Sequence, residues 1–269
     1  MVERALELYV TRGNHRLPLI NVRRVIIVKK ISQRLLWFWI VMGILLYGRP
    51  GNLIAQADVS DYLSDIKTEL KKEWPGNRTI NLVFHGHSVP AGYFVTPVVN
   101  TPDSYPWQLL AELKVLYPYA VINVINTAIG GENSLSGAKR FKKDVLTHNP
   151  DVLFIDYALN DRSIGLENAR KAWESMIRCA LKRKIKIILL TPSPDQNLNL
   201  LDSGNVLEMN AKQIRSLAAK YSIGLADSYH AFKRMVASGN PLPGYMSQVN
   251  HPNKSGHRLI VQEILPYFK

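Results

Sequence analysis

The strongest constraint on the fold is an alternation that begins at residue 58 and runs to residue 269. Short apolar runs, "TINLVF" (79–84), "AVINVIN" (120–126), "DVLFIDYA" (151–158), "IKIILLT" (185–191) and the brief "IGLAD" (223–227), are separated by longer amphipathic stretches. Those stretches are "SYPWQLLAELKVLY", "GAKRFKKDVLTH", "GLENARKAWESMIRCALKRK" and "VLEMNAKQIRSLAAKY". A further helix is expected in "VSDYLSDIKTELKKEW", with Val59, Tyr62, Leu63, Ile66 and Leu70 on one face, and another in "NKSGHRLIVQEILPYF". Pro75-Gly76-Asn77 ends the first. The apolar runs are nearly continuous rather than alternating, so each is expected to be buried on both faces. Helices between such strands imply a parallel sheet covered on both sides, an α/β fold with five mainly parallel strands. No repeat, low-complexity tract or linker divides residues 58–269, which are expected to form one domain.

Residues 1–57 have a different character. They hold nine Lys/Arg against two acidic residues, a surplus of seven out of the formal net charge of +13. The remaining surplus of six on a domain of this size calls for no polyanionic partner. With no basic recognition helix and no RNP-like aromatic stripe, nucleic-acid binding is not expected. The uncharged run "LLWFWIVMGILLYG" (35–48) follows Lys29, Lys30 and Arg34. It is short for a membrane span of about 20 residues but suits a signal-peptide core of roughly 7–15. Ala55-Gln56-Ala57 has the small-x-small form of a cleavage site, placing the cut after Ala57. Translation starting near Val28 would leave a leader of ordinary length. Arg49, just after the run, keeps an uncleaved anchor open. The expectation is export, with the product periplasmic, secreted or held to a membrane through this segment alone. The single cysteine, Cys179, sits in a helical run and reads as a small buried apolar residue.

In a doubly covered parallel sheet, ligands bind beyond the carboxyl ends of the strands. The residues expected there are distinctive. His87-Ser88 follow the first strand and "NTAIGGENS", with Gly130 and Gly131, follows the second. "ALNDR", with Asn160, follows the third, and "VNHPN", with His251, precedes the last helix. A serine, a glycine, an asparagine and a histidine converging on one rim make an acyl-transfer site. The serine attacks a carbonyl while the histidine takes its proton and later returns it to the leaving alcohol. The serine N–H, the glycine N–H and the asparagine amide stabilise the oxyanion.

In order and spacing these segments resemble the SGNH (GDSL-type) hydrolases over nearly all of residues 80–265. "FHGHS" is similar to the first block with Ser88 as nucleophile, and "NTAIGG" to the second with Gly130 as oxyanion donor. "LND" is similar to the third with Asn160 as the other donor, and "NHPNKSGH" to the last with His251 as base. The resemblance implies a three-layer α/β/α flavodoxin-like domain, no cofactor, and hydrolysis of esters. Two departures stand out. Gly86-His87-Ser88 replaces Gly-Asp-Ser, and Gln248 stands three residues before His251, where an Asp is usual. The second His251 nitrogen then needs a neutral acceptor: the Gln248 carbonyl, the Asn250 side chain, or a backbone carbonyl within 247–249. "DSYH" (227–230) also spells Asp-x-x-His, but Asp227 reads as a strand-end or capping residue.

Each residue has a plainer reading. Ser88 alone would be a turn residue, Gly130-Gly131 a tight turn, and Asn160 a helix cap. His85 and His87, two apart, hint at a metal, but no His-Glu-x-x-His or Cys-x-x-Cys supports one, and no metal is expected. His257 reads as packing, and Tyr93, Phe94 and Trp107 as pocket wall or core. The expectation is a serine esterase acting on short acyl esters, favoured on acylated carbohydrate. Lipid or lysophospholipid esters and O-acetyl transfer are alternatives within enzymes. A degenerate module that binds a glycan or acyl group without turnover is the alternative outside them.

Overall fold

A computed structural model describes residues 57–269; the apolar run 35–48 lies outside them. Five parallel strands form one sheet: β1 (Thr79–Gly86), β2 (Val121–Asn126), β3 (Val152–Asp156), β4 (Lys186–Leu190) and β5 (Gly224–Ala226). Their order is β2-β1-β3-β4-β5. The helices are α1 (Ser64–Leu70), α2 (Ser88–Ala91), α3 (Tyr105–Leu116), α4 (Ser134–Asp144), α5 (Leu166–Leu181), α6 (Val206–Tyr221), α7 (Ser228–Ala237) and α8 (Lys254–Ile264). A two-stranded antiparallel ribbon, β6 (Met246–Gln248) with β7 (His251–Pro252), precedes α8. This is the three-layer, flavodoxin-like α/β/α order expected from the sequence.

The inner strands explain themselves. Alternate residues of β1, β3 and β4 enter two separate cores. Leu82, Phe84, Phe154 and Ile188 pack with α1, α3 and α8 on one face. Val83, Leu153, Ile155, Ile187 and Leu189 pack with α4 and α5 on the other. Phe84 and Phe154 stack at 4.3 Å between ring centres, with Tyr105 of α3 edge-on to Phe84 at 5.7 Å. This aromatic cluster lies just before the polar strand ends, with Phe84 one residue before His85 and Phe154 two residues before Asp156. Truncating a ring such as Phe154 to Ala would cost about 3–5 kcal/mol.

Three details differ from expectation. "AVINVIN" is not buried on both faces, because β2 is an edge strand and Val121 is half exposed. The first helix starts later, because the Asp58 carboxylate takes both the N–H and the hydroxyl of Ser60 at 2.8 Å and residues 59–63 are held in turns. Helix α7 and the β6–β7 ribbon were not anticipated. Asp227 caps α7 by accepting the His230 N–H, and also pairs with Arg215, in line with its capping role. Among the described residues no helix is long and apolar enough to cross a membrane.

The strand order matters for function. Connections leave β1 toward β2 on one side and reach β3 on the other, so the chain direction switches between β1 and β3. In this topology a crevice opens there, beyond the carboxyl ends.

Candidate active site

Ser88 is delivered to that crevice by the abrupt end of β1. A Cβ at Gly86 would collide with the Asp156 carbonyl, so only glycine lets β1 press against β3 there. The His87 N–H donates to the same carbonyl at 3.1 Å. Ser88 then opens the single turn of α2, which Gly92 closes at φ +91°. Asn160 follows β3 in a short 3-10 turn (Asn160–Ser163). Its neighbour Asp161 anchors that turn by accepting the Ser134 N–H at 2.8 Å and the Trp173 indole N–H at 2.6 Å. Burial pushes the Asp161 carboxyl up, against those hydrogen bonds. No side-chain cap bond forms at this turn, so the cap reading of Asn160 is not what its amide does. One amide N–H of Asn160 donates to the Glu132 carbonyl at 2.8 Å, and the other remains for a ligand.

The loop between β2 and α4 carries Gly130. Arg140 grips the Glu132 carboxylate through both Nε and a terminal nitrogen, and the Tyr157 hydroxyl donates to it at 3.1 Å. His85 closes this network against Tyr157, Thr127 and the Gly137 carbonyl, on the face of β1 remote from Ser88. His85 and His87 therefore point into different surroundings. Burial pushes the His85 imidazole down to about 3.

His251 is placed by the last block. Asn253 caps α8 by accepting the Gly256 N–H at 3.1 Å, and its amide donates to the Gly244 carbonyl at 2.9 Å. Gly256 has no room for a side chain against the Tyr245 carbonyl. The Pro-Asn-Lys-Ser-Gly that follows His251 is thus a cap and a close packing contact. Ser88, Tyr93, Thr96, Gly130, Gly131, Asn160, Gln248, Asn250 and His251 surround one open cavity of about 380 Å³. His251 Nε2 lies 2.9 Å from Ser88 Oγ. Among the described residues the N–H groups of Ser88 and Gly130 have no protein partner.

The other nitrogen of His251 corrects the sequence reading. Its Nδ1 lies 2.9 Å from the backbone carbonyl of Phe94, not from a carbonyl within 247–249. Asn250 lines the cavity but makes no hydrogen bond to the ring. Gln248 does approach Nδ1, at 2.8 Å, but with its amide nitrogen. The reason is Thr96, whose N–H donates to Gln248 Oε1 at 3.0 Å and fixes which end of the amide faces the imidazole. Both contacts come from the strap of residues 93–100, closed by a Tyr93–Val99 bridge. In the tautomer with Nδ1–H donating to Phe94, Nε2 is free to accept a proton, and the Gln248 amide nitrogen, itself a donor, opposes that tautomer instead of supporting it. Burial holds the His251 imidazole below its ordinary value, the Phe94 carbonyl opposes that shift, and the His87 imidazole adds to it.

His257 is fully buried, accepts the Tyr105 N–H at 3.2 Å and stacks on Phe94 at 5.2 Å. It is packing, as expected, and burial pushes its imidazole down to about 3. Tyr93 forms cavity wall, Phe94 is half-buried against His257 with its carbonyl at His251 Nδ1, and Trp107 lies outside the cavity.

A model of the GDSL-like lipase/acylhydrolase family matches residues 84–259. The chain belongs to that family. It is a carboxylic ester hydrolase. Its fold is similar to that of a two-domain esterase, CEX, active on acetylated mannans, with a TM-score of 0.63 and 21% identity over 80% of this chain and 54% of that one. The hydrolase thus spans about half the length of that relative. It is also similar to Axe2, an acetylxylan esterase from Geobacillus stearothermophilus, with a TM-score of 0.61 and 19% identity over 70% of this chain and 94% of that one. Catalytic mutants of Axe2 carry alanine in place of a serine, a histidine or an aspartate. No curated protein matches the hydrolase sequence. Among the described residues of this hydrolase no carboxylate lines the cavity.

Proposed function

We propose that this hydrolase cleaves short acyl esters, acetyl above all, from carbohydrate, with Ser88 as nucleophile and His251 as general base. The observation that carries the reading is the 2.9 Å contact between Ser88 Oγ and His251 Nε2 on the wall of an open, polar cavity. Ser88 attacks the ester carbonyl as its proton passes to Nε2. The N–H groups of Ser88 and Gly130 and the free amide N–H of Asn160 serve the oxyanion. His251 then protonates the leaving alcohol, and water repeats the sequence on the acyl-enzyme. A polar rim suits a sugar alcohol, and the two similar esterases named above act on acetylated polysaccharides. Export through the 35–48 segment agrees with a polymeric substrate outside the cell, and residues 58–269 are proposed as the catalytic domain.

One observation favours a second reading, lipid esters. Val95, Val98 and Val99 of the strap are about half exposed beside the cavity. A panel of p-nitrophenyl esters from acetate to octanoate, together with acetylated xylan and mannan, separates the two. Acetate should be the best acyl group and acetylated polysaccharide should release acetic acid. A rate that climbs with chain length would replace the carbohydrate reading with the lipid one. Binding of acetylated sugar without turnover of any ester would mark a degenerate site.

A further inference from the structure

The position that departs from Gly-Asp-Ser has a partner the sequence does not reveal. His87 is wholly buried, and its Nε2 faces the Asp156 carboxylate at 3.3 Å, with the two side chains 0% and 4% exposed. Among the described residues neither Nε2 nor that Asp156 oxygen makes a hydrogen bond, so the two meet as a close buried polar contact and compete with no other partner. The second Asp156 oxygen accepts the Tyr105 hydroxyl at 3.2 Å. On its other side, His87 Nδ1 accepts the Val89 N–H at 3.2 Å and so carries a lone pair, which puts the ring proton on Nε2, toward Asp156. Ser88 Oγ is 3.5 Å from that same Nδ1. At this distance, with the lone pair already engaged by Val89, Nδ1 is a poor acceptor for the serine proton. His251 Nε2 is left as the acceptor.

We propose that His87 and Asp156 are a buried positioning pair for the nucleophile: Asp156 fixes the His87 tautomer, and His87 holds the turn that aims the Ser88 hydroxyl and N–H. The inference rests on the reading of Ser88 as nucleophile. With the tautomer reversed, His87 Nδ1–H would face the Val89 N–H, donor against donor, and push the first turn of α2 away. A displacement of about 1 Å at such a site costs up to about 100-fold in rate. A sealed pair of this kind adds little stability over an apolar pair of equal volume, so its value lies in the geometry it imposes.

The test uses the full chain, with p-nitrophenyl acetate kinetics, thermal midpoints, and the rate of Ser88 labelling by a fluorophosphonate. Asp156→Asn should lower kcat by about 10-fold or more with KM changed by less than about 2-fold, and labelling should slow in step. The His87→Asn/Asp156→Asn double variant keeps a side-chain cap for Val89 and leaves no unpaired buried charge. Its thermal midpoint should recover toward wild type while kcat stays low. Wild-type kcat and labelling in the folded double variant would overturn the inference, since a merely structural pair moves only the midpoint. Should the double variant not fold, Tyr105→Phe decides. It removes only the hydroxyl given to Asp156, and it should cost kcat about 3-fold at unchanged KM, whereas no change overturns the proposal. Ser88→Ala run alongside separates the failures. If Ser88→Ala stays active, the nucleophile reading falls and the pair falls with it. If Ser88→Ala is dead and the pair variants match wild type, the pair alone falls.

Discussion

Ser88 lies between two imidazoles with opposite surroundings. His251 opens onto the cavity and has only neutral groups at its second nitrogen, the Phe94 carbonyl and the Gln248 amide. His87 has no exposed surface and faces a carboxylate. The contrast follows from what each ring must do. In the proposed cycle His251 gains and loses a proton every turnover, so it needs an accessible nitrogen and partners that tolerate both states. His87 needs only to keep one tautomer, and a sealed carboxylate enforces that. The carboxylate lacking beside the base is present beneath the nucleophile.

The harshest way to break the comparison is to remove the group both rings flank. Ser88→Ala should reduce kcat by on the order of 10³-fold or more while leaving the thermal midpoint within a few degrees. Wild-type turnover by folded Ser88→Ala would dismantle the site. Asn160→Ala should lower kcat by about 10²–10³-fold with a much smaller rise in KM. Because the other Asn160 N–H holds the Glu132 carbonyl, the midpoint should be recorded too. A loss confined to KM would make Asn160 a substrate-positioning group instead.

Two further histidines show what sealing an imidazole does. His85 and His257 are pushed from an ordinary 6.5 down to about 3 by burial. Both stay neutral in the folded state while the unfolded chain takes up protons below about 6.5. Stability is therefore fully present above that value and is lost as pH falls toward 3. Each group should remove about 2 kcal/mol of unfolding free energy between pH 7 and pH 5, read by urea titration at both. A flat profile would mean these rings are hydrated.

The gentlest change sharpens the contrast directly. Gln248→Glu is isosteric: one oxygen keeps the Thr96 N–H and the other replaces the amide nitrogen 2.8 Å from Nδ1. A carboxylate there favours imidazolium, so the acid limb of kcat/KM should move up in pH from its position in wild type. Above that limb kcat should rise by about 10-fold, equivalent to about 1.4 kcal/mol of added imidazolium stabilisation. An unmoved limb with unaltered kcat would show that residue 248 does not address the ring in solution.

Much of the fold was legible because burial on both faces leaves a compositional trace. Strands β1, β3 and β4 are continuous apolar runs, and helices α5 and α6 keep their apolar spacing from end to end. Strand β2 carries the same kind of run at an edge, since residue type does not report which neighbours a strand finds. Helix α7 was missed although Tyr229, Phe232 and Met235 mark its buried face, because ten residues are short for a periodic signal. Ser88, Gly130, Asn160 and His251 were legible as candidates because each stands where an element ends in polar residues. Asp156 was not, since it reads as the last residue of a strand.

The sequence by itself determined the alternation of elements, and hence a parallel sheet whose carboxyl ends gather a serine, a glycine, an asparagine and a histidine. Those follow from local periodicity and from residue chemistry, which a linear string carries. Only the tertiary structure decided which atom each ring nitrogen meets. The Phe94 carbonyl is a backbone atom 157 residues from His251, and every residue has one, so no residue type could announce it. Gln248 turns its nitrogen toward the ring because Thr96, on another segment, claims the oxygen. Asp156 reaches His87 because Gly86 lets two strand ends close. These are long-range polar contacts, made once the packed core has brought the segments together.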